Sequence, residues 1–194
     1  AGLCDPRWRW YSPAGGRLGY CQGHQKGCTE QRKWRTMIDY RILANMFGGK
    51  NMFNLINELR NNDYSDELFV VGGISETKVE ELARKLNVTF TNSYKEFLME
   101  FGRIIGYGVD ILGCGQSGEA SVVKETLRYR QFGLPNQFVV IRDIGEWVYC
   151  LDTTNDGVIS WDRNSQNYKK VCNSFEEYIC DTILEAKEDW DDEE

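Results

Sequence analysis

The chain has 194 residues, of which 41% are hydrophobic, and a formal net charge of −7. This length predicts one domain with at most a small appendage, and the hydrophobic fraction is that of an ordinary globular protein. Since no run of about 18 apolar residues occurs, we expect no membrane span. The N-terminal residues do not show the charged and then apolar pattern of a secretory signal.

The charge is divided unevenly along the chain. Residues 1–51 contain nine Lys/Arg and three Asp/Glu, a net charge of +6, whereas residues 52–194 contain 14 and 27, a net charge of −13. Such asymmetry indicates two pieces with different origins or different partners. Because an acidic body repels nucleic acid and attracts basic proteins, we expect no direct nucleic-acid binding by residues 52–194.

Residues 1–51 form a basic extension rich in glycine and aromatic residues, with no sustained helical or strand periodicity. Cys21, His24 and Cys28, together with the remote Cys4, bear a weak likeness to a zinc ligand set. Structural zinc sites usually take their ligands as two close pairs, which this spacing lacks. Basic residues among aromatic ones also suit single-stranded nucleic acid. An extension without any site is the interpretation we favour.

The seven cysteines are an odd number, and those of the body lie mostly among apolar residues. Cys150 belongs to an apolar run and Cys180 to the predicted buried face of a helix. Buried free thiols are typical of a reducing compartment, so we expect a cytoplasmic protein.

Helical spacing of apolar residues predicts a first helix from Met52 to about Asn61. The short apolar run 68–71 and a Gly-Gly break follow. Ser75 is then a good N-cap for a second helix, with an acidic residue in its first turn.

A third helix is predicted over 93–101, with Asn92 as its N-cap and Gly102 at its end. The apolar residues 104–105 and 109–112 flank a Gly-Tyr-Gly sequence and predict a short pair of strands.

The loop 113–118 is rich in glycine and precedes a helix predicted over 119–130. Such a loop can hold a phosphate through its backbone N–H groups. However, the Gly-Lys-Ser/Thr ending of a phosphate-binding loop is missing, and Glu119 stands where the anion would bind. We therefore interpret the loop as a turn.

Three apolar runs rich in β-branched and aromatic residues predict the centre of the fold. Gly/Asp/Asn clusters separate them, as in strands joined by tight turns. The runs are 138–141, 147–151 and 158–161. We expect an α+β fold, in which a mostly antiparallel meander is covered by helices.

The sequence from Ser174 to Glu177 is a capping box for a closing helix. The residues after this helix are almost all charged, and we interpret 188–194 as a solvated acidic tail. The predicted organisation is thus an extension over 1–51, a domain over 52–187 and this tail.

Residues 74–183 resemble the SUKH superfamily, which includes yeast cell-wall-synthesis regulators and many bacterial immunity proteins. One departure is Phe90-Thr91, where the family usually has Leu-Pro. The motifs that carry the resemblance are Glu80-Glu-Leu82, Asn92-Ser-Tyr94-Lys-Glu-Phe97-Leu98, Arg130, Gly133-Leu-Pro135, Phe138-Val-Val-Ile141, Glu146-Trp-Val-Tyr-Cys-Leu-Asp-Thr153, Asp156-Gly157, Trp161-Asp162 and Ser174-Phe-Glu-Glu-Tyr178.

The resemblance implies helices packed on a mostly antiparallel sheet, and a function in binding. Bacterial members are similar to antidotes that neutralise a cognate toxin, often a nuclease. We expect no cofactor and no metal site. A regulatory or scaffold role, as in the yeast members, is the alternative.

An enzyme is the third possibility and has little support. The only histidine is His24, so the body lacks a histidine base for a Ser or Cys nucleophile. Asp152, Asp156 and Asp162 are the only close acidic set, and turn chemistry explains them better than catalysis.

We expect Glu146, Asp152, Asp156 and Asp162 to be exposed near strand ends, and we predict that they contact the partner. Trp161 is included in this set, although a tryptophan in a strand more often packs in the core. Core packing is also the usual expectation for Trp147, which is not in the set. The resulting hypothesis is a cytoplasmic immunity protein whose acidic face binds a basic toxin domain.

Overall fold

The computed structural model describes residues 51–61, 67–145 and 147–193. In chain order, the elements of these residues are α1 (Met52–Asn61), β1 (Leu68–Val70), α2 (Glu76–Leu86), α3 (Asn92–Glu100), β2 (Ile104–Gly106), β3 (Val109–Ile111), α4 (Ser121–Arg130), β4 (Phe138–Asp143), β5 (Trp147–Asp152), β6 (Val158–Asp162), β7 (Tyr168–Cys172) and α5 (Phe175–Glu193). The predicted α+β class is confirmed. No helix of these ranges is long and apolar enough to cross a membrane.

The strands form two antiparallel sheets, with the orders β1-β2-β3 and β4-β5-β6-β7. The larger sheet is the predicted meander, extended by one strand. β7 escaped prediction because four of its five residues are exposed and two are lysines, which leaves no apolar run. It is one of the two edge strands of the sheet. Its register shifts between Val158 and Ile159 of β6, which leaves Val171 without a partner in that strand.

Helices cover both faces of the larger sheet. Val148 lies opposite Trp161 and therefore shares its face, whereas Tyr149 points to the other face. From α4, the Tyr129 ring packs edge-on against Trp161 with centroids 6.1 Å apart. From α5, the Tyr178 ring lies 5.3 Å from that of Tyr149. The sheet is thus held between α4 and α5, which explains why its central strands are apolar on both faces.

The predicted start of α2 is confirmed, because the Ser75 hydroxyl accepts a hydrogen bond from the Lys78 N–H at 3.3 Å. The predicted start of α3 is wrong by one residue. Asn92 is already helical and Thr91 precedes it, without a capping bond from its side chain. A Thr side chain caps less well than Asn, so the sequence preference favoured the wrong neighbour.

The glycine-rich loop after β3 is a turn packed against backbone rather than a phosphate cradle. A Cβ atom on Gly113 would lie 1.7 Å from the carbonyl oxygen of Gly102, so only glycine fits there. The hydroxyl of Ser121 donates to the Gly113 carbonyl at 3.0 Å. The helix begins at this serine, two residues later than predicted, because its side chain is bonded back to the loop.

The closing helix is longer than predicted. α5 continues to Glu193, so 188–193 are its last turns and not a separate tail. Its start has the predicted cap: the Ser174 hydroxyl accepts from the Glu177 N–H at 3.2 Å. The Glu177 carboxylate in turn accepts from the Asn173 N–H at 3.1 Å, one residue earlier than in a standard capping box.

An aromatic cluster joins α3 to α5 at the centre of the core. The ring of Phe175 packs edge-on against Tyr94 and Phe97, with centroids 5.0 and 5.3 Å apart. All three are fully buried. The Tyr94 hydroxyl donates to the Leu112 carbonyl at 2.9 Å, and burial raises the pKa of this phenol well above its usual value. The tyrosine is therefore neutral and acts as a donor inside the core.

We predict that Tyr94→Phe lowers the free energy of unfolding by about 1–2 kcal/mol, because the Leu112 carbonyl loses its buried donor. Urea unfolding followed by circular dichroism measures this change. Tyr168→Phe is the matched control, since the Tyr168 side chain is 56% exposed. Equal stabilities of the two variants would contradict this role of the hydroxyl.

Candidate functional site

Two of the predicted contact residues hold turns of the meander. The Asp152 carboxylate accepts from the Thr154 N–H at 3.0 Å and from the Asn155 side-chain amide at 3.0 Å. The Asp162 carboxylate accepts from the Asn164 N–H at 2.7 Å and from the Ser165 hydroxyl at 2.9 Å. These bonds are those of Asx turns, in which the carboxylate replaces a missing backbone partner.

A third, Asp156, ties three elements together. It has a φ of 66°, in the left-handed region that Asp tolerates better than most residues. Its carboxylate accepts a hydrogen bond from the Ser93 hydroxyl in α3. It also accepts from the Phe175 N–H at the start of α5, at 3.4 Å. Asp156 thus links the β5–β6 turn to the two helices that meet at the aromatic cluster.

The remaining predicted contact residues differ in outcome. Trp161 is completely buried against α4, so its assignment to a partner surface is wrong: its side chain is core, as is usual for a large aromatic in a strand. Trp147, for which core packing is the usual expectation, is instead 45% exposed. Glu146 lies outside the described residues, as do Cys4, Cys21, His24 and Cys28.

Among the described residues, no group of three or more His, Cys, Asp or Glu side chains is arranged to hold a metal ion. Asp152, Asp156 and Asp162 make separate turn and helix contacts rather than converging on one point.

The negative charge of the domain is concentrated on α5. This helix contains nine acidic residues and one basic residue, Lys187, which pairs with Asp191 at 2.6 Å. The C-terminal end of a helix already carries a partial negative charge from its backbone dipoles. Acidic side chains in the last turns therefore add to this field and oppose helix stability. A surface so arranged is suited to a positively charged partner.

A cleft of about 370 Å³ lies beside the C-terminal half of α5. Glu185 and Asp189, one helical turn apart and exposed, stand on one wall. The Trp190 ring, 39% exposed, also borders the cleft. The other lining residues are Tyr107, Gly108, Val109, Arg142, Thr182 and Ala186.

Among the described residues that line the cleft, Arg142 is the one cation, and aromatic neighbours hold it in place. Its guanidinium lies 5.7 Å from the centroid of the Tyr149 ring. Burial raises the pKa of the Tyr178 phenol, and the positive charge of Arg142 opposes that rise. The cleft thus combines two exposed carboxylates, one fixed guanidinium and an aromatic edge.

The sequence contains a signal for this cleft that the predictions from turns and motifs missed. Ile179, Ile183, Ala186 and Trp190 are spaced by three or four residues, the pattern of one helix face. This apolar stripe continues into the segment interpreted as a tail. Its extension to Trp190 indicates a longer helix with an acidic outer face.

We predict that Asp156→Ala lowers the free energy of unfolding by about 2–3 kcal/mol, through loss of two hydrogen bonds and the cost of left-handed backbone at alanine. Asp156→Asn, which tolerates this backbone and keeps one acceptor oxygen, should lose clearly less. Denaturant unfolding compares the three proteins. A stability of the alanine variant within about 0.5 kcal/mol of the parent would contradict the role of this residue.

The hydrogen bonds at Asp162 lower the pKa of its carboxyl group, the backbone N–H of Asn164 contributing most. A lowered folded-state pKa adds stability that is present above the ordinary Asp value of about 3.9 and is lost as the pH falls through the folded value. The stability difference between the parent and Asp162→Asn, measured by urea unfolding, should therefore shrink on going from pH 6 to pH 3. A difference independent of pH would show that this carboxylate is not stabilised by the turn.

Comparison with known proteins gives similar solved structures and a matching family. The crystal structure of a protein from Pseudomonas syringae pv. tomato is similar with a TM-score of 0.45 and 18% sequence identity, covering 60% of this chain and 88% of that one. A family model, SUKH_5, described as SMI1-KNR4 cell-wall, matches residues 52–184. This match begins at the first residue of α1 and so extends the resemblance seen in the motifs toward the N-terminus. Since it spans more than half of the sequence, the chain belongs to the SMI1-KNR4 family of the SUKH superfamily.

Proposed function

We propose that this protein is an immunity protein that binds and neutralises a cognate toxin domain, of the basic, nucleic-acid-cleaving class. Membership of the SUKH superfamily supports a role in protein binding, since its bacterial members resemble antidotes to toxins. The observation that carries the proposal is the concentration of negative charge on α5 and beside its cleft.

The charge of α5 suits the surface of a nuclease. An enzyme that holds phosphates needs a positive cleft, so an acidic helix facing that cleft gains fast, electrostatically steered association. An inhibitor of this kind needs no chemistry of its own, because occupation of the cleft excludes the nucleic acid. The protein then acts as a binding partner and not as an enzyme.

The cleft beside α5 offers a place for a basic side chain of the toxin. A Lys or Arg entering it would meet the carboxylates of Glu185 and Asp189, and the exposed Trp190 ring can stack on a guanidinium. The positive charge of Arg142, which also lines the cleft, disfavours entry of a second cation. This limits which arrangements of basic side chains on the toxin can bind here. Asp152 and Asp162 lie in turns at the surface and remain proposed as secondary contacts.

A cytoplasmic location is part of this proposal. Cys114 and Cys150 are buried free thiols, as expected in a reducing compartment. An antidote must also meet its toxin where the toxin would act on the cell that makes both.

We predict that the double variant Glu185→Lys and Asp189→Lys binds the toxin encoded beside this protein at least about 100-fold more weakly than the parent, because two attractive contacts become repulsive. Titration calorimetry at low and at physiological salt measures the affinity, and a nuclease assay measures the loss of protection. The affinity of the parent should fall as the salt concentration rises.

The control is Glu96→Lys with Glu100→Lys, two exposed acidic residues one turn apart on α3. It changes the net charge by the same amount and should retain most of the affinity. Equal weakening by both double variants would show that only total charge matters and would exclude the cleft. The absence of a complex between the parent and the toxin at low salt would overturn the proposed function itself.

A further inference from the structure

A second groove lies between α2 and α3. The two helices form an antiparallel hairpin, since the Ile74 N–H before α2 donates to the Leu98 carbonyl near the end of α3 at 3.1 Å. The groove has a volume of about 300 Å³. It is separate from the cleft beside α5, with which it shares no described lining residue.

The floor of the groove is apolar. Val79 and Phe90 form its buried part, and Ala83 and Val88 are partly exposed into it. Met99 borders it and is 40% exposed, which is unusual for a side chain of this size on a helix that otherwise buries its apolar residues. Methionine adapts its shape to different neighbours and is common on surfaces that bind apolar side chains.

The charges around the groove have a definite order. Glu76 and Glu80 lie at the end near Met99, because the start of α2 is beside the end of α3. Arg84 and Lys95 lie at the opposite end, near the connection between the helices. The groove is thus negative at one end and positive at the other.

These four charged side chains differ from those on the neighbouring face of α2. There, Glu81 is paired with Lys85 at 2.8 Å and with Lys78 at 2.9 Å, and these contacts lower the pKa of Glu81 to about 2. Within the described part of the chain, by contrast, the four groove residues form no salt bridge; they are Glu76, Glu80, Arg84 and Lys95. The charge of Glu81 on the neighbouring face is thus neutralised within the protein. The four charges around the apolar groove have no such pairs among the residues that the structure describes and are therefore suited to binding a charged partner.

We propose that this groove binds a short amphipathic α-helix of another protein, with acidic residues in its first turn and basic residues in its last. An apolar stripe of such a helix would fill the floor, as in other complexes in which a helix lies in a groove. Its acidic end would face Arg84 and Lys95, and its basic end Glu76 and Glu80. This order is the one that natural helices favour, because acidic residues stabilise the N-terminal turn and basic residues the C-terminal turn.

The test uses the full chain and two labelled 14-residue peptides of identical composition. Both carry leucines at positions i, i+3, i+4 and i+7; one has Glu at its N-terminal end and Lys at its C-terminal end, and the other has Glu and Lys mixed at both ends. Fluorescence anisotropy at low salt should show about tenfold tighter binding of the first peptide. Methyl resonances of Val79, Ala83, Val88 and Met99 should shift on titration.

Two variants make the test specific. Glu80→Lys with Arg84→Glu leaves the net charge unchanged, cancels the charge at each end of the groove and should abolish the preference between the peptides. Met99→Lys places a charge over the floor and should weaken both peptides about tenfold or more. Both changes are at exposed positions, so circular dichroism should show unaltered folding. Glu185→Lys with Asp189→Lys should leave peptide binding unchanged, so this proposal and the function proposed for α5 can fail separately.

Three results would overturn the inference. The first is equal binding of the two peptides, or no binding at millimolar protein. The second is a shift of resonances in α5 instead of the groove, which would assign the binding to the acidic helix. The third is a dimer of the protein alone that Met99→Lys dissociates, which would assign the groove to a second copy of the chain.

Discussion

The contact between Phe175 and the rings of Tyr94 and Phe97 determines where the acidic helix lies. These edge-on contacts fix the first turn of α5 against α3. The Asp156 carboxylate holds the same point from the side of the sheet, by accepting the N–H of Phe175. A helix of 19 residues that is anchored at its start projects its far end across the sheet toward the β2–β3 turn. The position of the cleft therefore follows from packing at the other end of the helix.

The meander was predictable because β4 and β5 are buried on both faces. Val139, Val140, Cys150 and Leu151 are all inaccessible to solvent, and such strands read as continuous apolar runs. The edge strand β7 has no buried face of this kind and left no pattern to detect. Sequence patterns therefore predicted β4, β5 and β6 and missed the exposed edge strand β7.

The residues of the cleft beside α5 were not singled out by the sequence analysis, for a different physical reason. Acidic residues in turns look exposed in a sequence, but a short carboxylate in a turn is close to backbone N–H groups and bonds to them first. Asp152, Asp156 and Asp162 all do so. Glu185 and Asp189 instead stand on the surface of a helix whose backbone N–H groups are already bonded, so their charge remains available. A carboxylate is neutralised within the protein when it lies close to backbone N–H groups that have no other acceptor. The composition of the sequence and the spacing of its residues do not give this distance.

The border of the larger sheet has a consequence for how the protein associates. β7 presents Lys169 and Lys170 in succession, and its irregular register at Val171 interrupts the row of outward backbone groups. Lysines and bulges of this kind hinder the addition of a further strand, and two copies meeting edge to edge would bring like charges together. Extension of the sheet through β7 is thereby disfavoured as a mode of assembly. On this side of the protein, an encounter with another protein depends on side chains, which allow more selectivity than the uniform hydrogen bonding of a strand edge.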